Sequence, residues 1–170
     1  VLSPVSHSLA FILLRGWMGN PDALADDCAR YLSWHPSRLC IGYDIASGGH
    51  GADYLSRKAI LEIAPHCSTE VYDLLEAAIL GFRYKYESPQ NRGFRQMPLL
   101  ASLPAGRLGA AARVRLDELQ RKFPEAAASE LQSPRALKMR RVPSPIPPTA
   151  MAKMGTKDWI SAMRSYDSDR

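Results

Sequence analysis

The sequence predicts an all-α chain: an irregular, solenoid-like helical-repeat array of about seven to eight helices, with a Pro-rich linker near its end. Three observations predict it. Apolar residues recur at helical spacing in one segment after another. The segments are joined by short connections punctuated by Pro, Gly and Ser, so successive helices must be neighbours. No repeat of fixed period runs through the chain, which makes the array irregular rather than a named repeat.

The first helix is expected over residues 4–18, with Ser3 as N-cap, Pro4 at the first helical position and Gly19 ending it. Asn20-Pro21 repeats the start signal, and Leu24, Cys28, Tyr31 and Leu32 give the second helix an apolar face up to Trp34. "HPSRLCIGYDIASGGHGAD" then reads as a surface loop, with Leu39, Cys40 and Ile41 as an extended piece lying on helices, since one strand without partners has no ladder. A third helix is expected over 52–64, carrying Leu55, Ala59, Ile60 and Ile63 and stopped by Pro65. Ser68 or Thr69 caps the fourth. Its Val71, Leu74, Leu75, Ala78, Ile79 and Phe82 form the cleanest helical stripe in the chain.

After the polar bend "YKYESPQNRG", a shorter helix covers residues 94–103 and "LPAGR" makes a turn. The next helix, over 108–123, turns Leu108, Ala112, Leu116, Leu119 and Phe123 inward. Residues 1–123 are therefore expected to form the helical array, residues 124–148 a Pro-rich basic linker, and residues 149–170 the start of a further helical unit. That last unit carries one spacing in Met151 and Met154 and a second in Trp159, Ile160 and Met163, the second helix capped by Thr156 with Asp158 in its first turn. The polar end "YDSDR" and the abrupt start at Val1 read as the edges of an internal piece of something larger.

Composition bounds the function. The chain has 170 residues, 46% of them hydrophobic and 23% charged, enough for one domain with a core. Its longest apolar run, Leu9 to Leu14, stops at Arg15, far short of the roughly 20 residues of a spanning helix. No secretory signal pattern opens it, and Cys28, Cys40 and Cys67 lack CxxC spacing, which suits reduced core thiols and a cytoplasmic protein. Charge is uneven. Residues 1–90 hold 7 Lys and Arg against 10 Asp and Glu, and residues 91–170 hold 15 against 7.

No catalytic, cofactor-binding or metal-ligating residue can be assigned, and no cofactor is expected. GxxxxGK[ST], the backbone cradle and lysine that a nucleoside triphosphate needs, is absent. "SGGHGAD", with Gly48, Gly49 and Gly51, is the nearest imitation and reads as an ordinary loop. His35, Cys40, His50, His66 and Cys67 show no paired ligand spacing. Adjacent His66 and Cys67 read as a capping histidine beside a buried thiol, and Asp26-Asp27 and Asp117-Glu118 as solvated helix faces. "FRYKYE", from Phe82 to Glu87, interleaves aromatics and cations as nucleic-acid platforms do, but helix-end packing with snorkelling Arg83 and Lys85 is the plainer account.

Four stretches in order, "LSWHPSRLCIGY", "AILEIAPHCSTEVYDLLEAAILGF", "LLASLPAGRLGAAARVRLDELQRKF" and "RRVPSPIPPTAMAKMGTKDWISAMRSYDSD", resemble a helical segment of large bacterial ATP-binding proteins. These are the NACHT-like, STAND type, associated with antiviral defence, and the segment lies downstream of their nucleotide-binding domain. The resemblance implies a non-catalytic scaffold or sensor segment, itself no enzyme, whose parent is an ATPase. Its partners would be other segments or subunits of that parent, or a protein trigger. None of the family's nucleotide-binding positions has a counterpart here. The alternative is a nucleic-acid-binding helical module using Arg135, Lys138, Arg140 and Arg141 with the basic helix of Arg113, Arg115, Arg121 and Lys122.

Overall fold

In the computed structural model, which describes residues 7–42, 53–124, 131, 148–151 and 153–165, helices α1 (His7–Met18) and α2 (Pro21–Ser33) are joined by Gly19 and Asn20 alone. The Gly19 N–H turns back to the Gly16 carbonyl (3.2 Å) and the Asn20 N–H to that of Trp17 (3.2 Å), closing α1. Pro21 opens α2 where an N–H would have no helical acceptor. The expected cap at Ser3 and start at Pro4 lie outside the described residues. α2 is the centre of the fold, packed against α1, α3 and α4. Its buried residues are Ala25, Cys28, Ala29 and Leu32, so two alanines share the face, while Leu24 and Tyr31 stay partly exposed.

Residues 36–40 correct an expectation. Instead of an extended piece, Pro36–Cys40 form a 3-10 helix, and the extended backbone begins only at Ile41. Pro36 fixes φ for the turn, and the His35 ring nitrogen Nδ1 accepts the Ser37 N–H (3.2 Å). Leu39 and Ile41 are buried in the core. The piece is locked to α3 (Tyr54–Ile63) by Ser56, whose hydroxyl donates to the Arg38 carbonyl (2.8 Å) and accepts the Ile41 N–H (2.9 Å). The Ile41 carbonyl in turn accepts the N–H groups of Leu55 (2.9 Å) and Ser56 (3.1 Å) in the first turn of α3. The glycines 48, 49 and 51 lie outside the described residues.

α3 gives way at Ala64 to a 3-10 turn, Ala64–His66, that contains Pro65. α4 (Thr69–Gly81) follows, with Ser68 at its N-cap. The Ser68 hydroxyl makes no bond to its own helix; it donates to Asp26 of α2 (2.7 Å), and the Ser68 N–H donates to the same carboxylate (2.9 Å). Asp26 is exposed at this contact, as its polar helix face predicts, yet its carboxylate has Ser68 as a partner and not solvent alone. Arg107 closes the same corner from far along the chain: its guanidinium donates to the carbonyls of Ala64 (2.9 Å), Pro65 (3.3 Å) and Cys67 (3.0 Å) and lies 4.2 Å from the Tyr72 ring centroid.

On α4, Val71, Leu75 and Ile79 are buried as the stripe predicts, and Phe82 is buried beyond its end. Leu74 is the correction, at 48% exposed. The buried face includes Tyr72, and at about 100° per residue this centres it roughly 110° from Leu74. α5 (Gln96–Ala101) packs on α3, α4 and α6, and α6 (Ala110–Lys122) buries Ala112 and Leu119, with Leu108 buried just before it. Leu116 and Phe123 pack partly buried against the core. Gly109, the α6 N-cap, donates its N–H to Glu76 of α4 (2.8 Å). Gln96 ties three helices together: its amide nitrogen donates to the carbonyls of Ile79 (2.9 Å) and Leu80 (2.7 Å) at the end of α4, and its amide oxygen accepts from Arg115 Nε of α6 (3.0 Å).

The chain divides into two compact units, Val1–Arg135 and Ala136–Arg170. Within the second, α7 (Pro148–Met151) and α8 (Thr156–Ser165) are the described helices. Here the expected cap is corrected: Thr156 is already helical, the Gly155 carbonyl accepts the N–H groups of Asp158 and Trp159, and Asp158 reaches back to accept the Gly155 N–H (2.9 Å). Trp159 and Ile160 are exposed. Nearly all of the expected linker, residues 124–148, falls outside the described residues. The protein is all-α, with no strand among the described residues, and none of its described helices is long and apolar enough to cross a membrane.

Candidate functional site

The segment after α4 gathers exposed charge and aromatic surface on a braced loop. α4 ends because Phe82 turns extended, its N–H bonded back to Ile79 (3.1 Å). The chain then folds over residues 83–95 around Glu87, whose carboxylate accepts the N–H of Gly93 (2.9 Å) and of Arg95 (2.7 Å). Gly93 sits at φ +92, where a side chain is strained, and a Cβ there would lie 2.5 Å from Leu119 Cδ2. Lys122 of α6 donates to the Arg92 carbonyl (3.0 Å) and pins the loop from the other side.

Arg83, Tyr84, Lys85, Glu87 and Arg92 line a groove of about 340 Å³ on this loop. One nitrogen of Arg83 donates to the Leu80 (3.1 Å) and Phe82 (2.8 Å) carbonyls, the helix-end role expected of it. Lys85 lies fully in solvent with its ammonium 4.6 Å from the Tyr86 ring centroid, and its hydrogen bond to Tyr86 holds its pKa above the ordinary lysine value. Tyr86 is 72% exposed and stands edge-on to Tyr84 at 5.5 Å. Arg95 lies 5.5 Å from the Tyr84 ring and reaches Asp53 at 4.0 Å.

Through Arg95 the loop reaches a more buried charged cluster. Burial raises the Asp53 carboxyl above its usual range, against the pull of Arg57 and Arg95, and Arg57 Nε is buried without a hydrogen-bond partner among the described residues. Burial, with Asp53 beside it, pushes the Cys40 thiol up to about 12, so it is neutral and a poor nucleophile near pH 7.

The other residues singled out by the sequence are dispersed. His66 contacts Asp22 (2.7 Å), and the Cys67 thiol donates to the Ile63 carbonyl (3.3 Å). Among the described residues no three metal-ligating side chains converge. The cations of α6 are engaged within the fold: Arg113 with the Leu108 carbonyl, Arg115 with Gln96 and Glu118, Arg121 with the Asp117 carbonyl, and Lys122 with the Arg92 carbonyl. Arg135, Lys138, Arg140 and Arg141 lie outside the described residues. Arg92 and the brace through Lys122 have no signal in the sequence, because the contact spans 30 residues. No protein family, curated protein or solved structure matches this chain.

Proposed function

We propose that this chain is a non-catalytic helical scaffold or sensor segment of a large bacterial STAND-type ATP-binding protein acting in antiviral defence. The observation that carries this reading is the second apolar face of α1. Ala10 and Leu14 point into the core, while Leu9 (48% exposed), Ile12 (68% exposed), Leu13 and Gly16 follow at intervals of three and four on the other side. A helix with apolar residues on both sides suits a place between neighbours in a larger array. The polar contacts between helices support the same reading. Asp26, Glu76, Gln96 and Arg107 are engaged in holding helix ends across the fold, as structural groups rather than groups aimed at a substrate.

Two measurements test it. The first is the open reading frame that encodes the chain, expected to carry a nucleotide-binding motif upstream of Val1; a frame without one overturns the reading. The second is equilibrium dialysis with labelled ATP, expected to show no saturable binding. Micromolar binding that a single charge change removes would overturn the non-catalytic assignment.

A further inference from the structure

We propose that the groove on the 83–95 loop binds single-stranded nucleic acid, with backbone phosphates on Arg83, Lys85 and Arg92 and a base stacked against Tyr86. The proposal does not rest on the scaffold reading. Its cations are available: the Arg92 guanidinium meets no acceptor among the described residues, Lys85 is exposed and its ammonium has donors beyond the one Tyr86 engages, and the N–H groups of Arg83 other than Nη1 have no partner there. The acid that lines the groove keeps its charge but makes no ion pair with them among the described residues, one anion against three cations. Both oxygens of Glu87 are taken by the N–H groups of Gly93 and Arg95, which makes it the brace of the loop. Held in this way, the loop offers its charges from a prepared geometry, and ordering it costs little on binding.

Shape and chemistry select the ligand. Tyr86, which follows the groove-lining Lys85 without itself lining the groove, adds an exposed π surface 4.6 Å from the Lys85 ammonium, and a base uses both features where an acidic peptide uses only the charge. The cations lie within ten residues of one loop, a strip suited to up to three successive phosphates and a splayed base, not to the two backbones of a duplex. Stacking and phosphate contacts carry no base identity, so recognition is expected to be indifferent to sequence.

The test is fluorescence anisotropy of a labelled oligothymidylate with the full chain. Saturable binding is expected, falling about 20-fold between roughly 50 and 200 mM salt, as release of counterions from three phosphates requires. Tyr86→Ala is expected to weaken it about tenfold, as loss of one stacked base does. Lys85→Glu combined with Arg92→Glu should abolish it, and Arg113→Glu on α6 should leave it unchanged. Thermal melts confirm that each exposed-site variant remains folded. The proposal is overturned by absent binding, by binding that survives the double charge reversal, or by indifference to Tyr86→Ala. Equal affinity for a duplex, polyglutamate or free thymidine monophosphate overturns it too, because each lacks what the groove is proposed to read.

Discussion

The Asp26 carboxylate holds both the N–H and the hydroxyl of Ser68, so α2 supplies the cap at the start of α4. Two helices further on, Glu76 of α4 does the same for the N–H of Gly109 at the start of α6. Each cap places a negative group at the positive end of a helix dipole, and each ties together residues more than thirty apart.

Asp26→Ala is expected to cost about 1 kcal/mol, the usual worth of a cap, near the low end of the range because the site is exposed. The pH dependence has a definite sign. The Ser68 hydroxyl, then its N–H, hold the Asp26 carboxyl below its ordinary value, so the stabilisation is present above an unfolded value of about 3.9 and disappears as pH falls through the folded one. Melts of wild type and Asp26→Ala should therefore converge in strong acid; a constant gap at every pH would contradict the assignment.

Gln96→Leu keeps the volume and removes three hydrogen bonds. It leaves the Ile79 and Leu80 carbonyls and the Arg115 guanidinium to find other partners, and should cost about 2 to 4 kcal/mol by chemical denaturation. A loss under about half a kilocalorie would show that water replaces the amide without penalty.

Along α4, Leu75→Ala and Ile79→Ala should each cost about 2 to 5 kcal/mol, since both side chains are fully buried. Leu74→Ala, one residue from Leu75, should stay within about half a kilocalorie. Equal losses at 74 and 75 would mean that the outer face is covered in solution.

The three thiols give an alkaline signature. Burial pushes Cys28 and Cys40 up to about 12 and Cys67 up to about 11. With folded values raised, their contribution is fully present below the unfolded thiol value of about 8.5 and is lost as pH rises toward the folded ones. Stability should fall between about pH 9 and 11, and replacing Cys28 and Cys67 by Ala should flatten that fall even where it lowers stability overall. In the native chain at pH 8, Cys28 and Cys67 should react with a thiol reagent far more slowly than in denaturant.

The helices were legible because local rules set them. Pro21, Gly19 and the stripe of Val71, Leu75 and Ile79 act within a turn or two of chain, and each lies where periodicity and punctuation place it. What escaped was set by distant partners. Leu74 lies at the edge of a face whose centre depends on Tyr72 being buried, which nothing in the stripe shows. Asp26 shows no partner in the sequence until Ser68 arrives beside it, and residues 39–41 read as extended until Ser56 fastens Arg38 and Ile41 to α3. The candidate groove was largely visible: "FRYKYE" supplied Arg83, Tyr84, Lys85 and Glu87, whereas Arg92 joins them only because Glu87 folds the loop back and Gly93 lets it turn.

Arg107 has a consequence for how the chain is made. The carbonyls of Ala64, Pro65 and Cys67 are turned toward a side chain forty or more residues downstream. A nascent chain that has delivered α1 to α4 has not yet produced the group that seals their last corner, so this corner waits in water while α5 is synthesised. Four helices emerge first, yet they are completed last. The first unit should therefore mature as one cooperative piece rather than helix pair by helix pair, and a ribosome stalled between residues 82 and 107 would hold an intermediate with an open seam, the state in which a chaperone or a protease finds it.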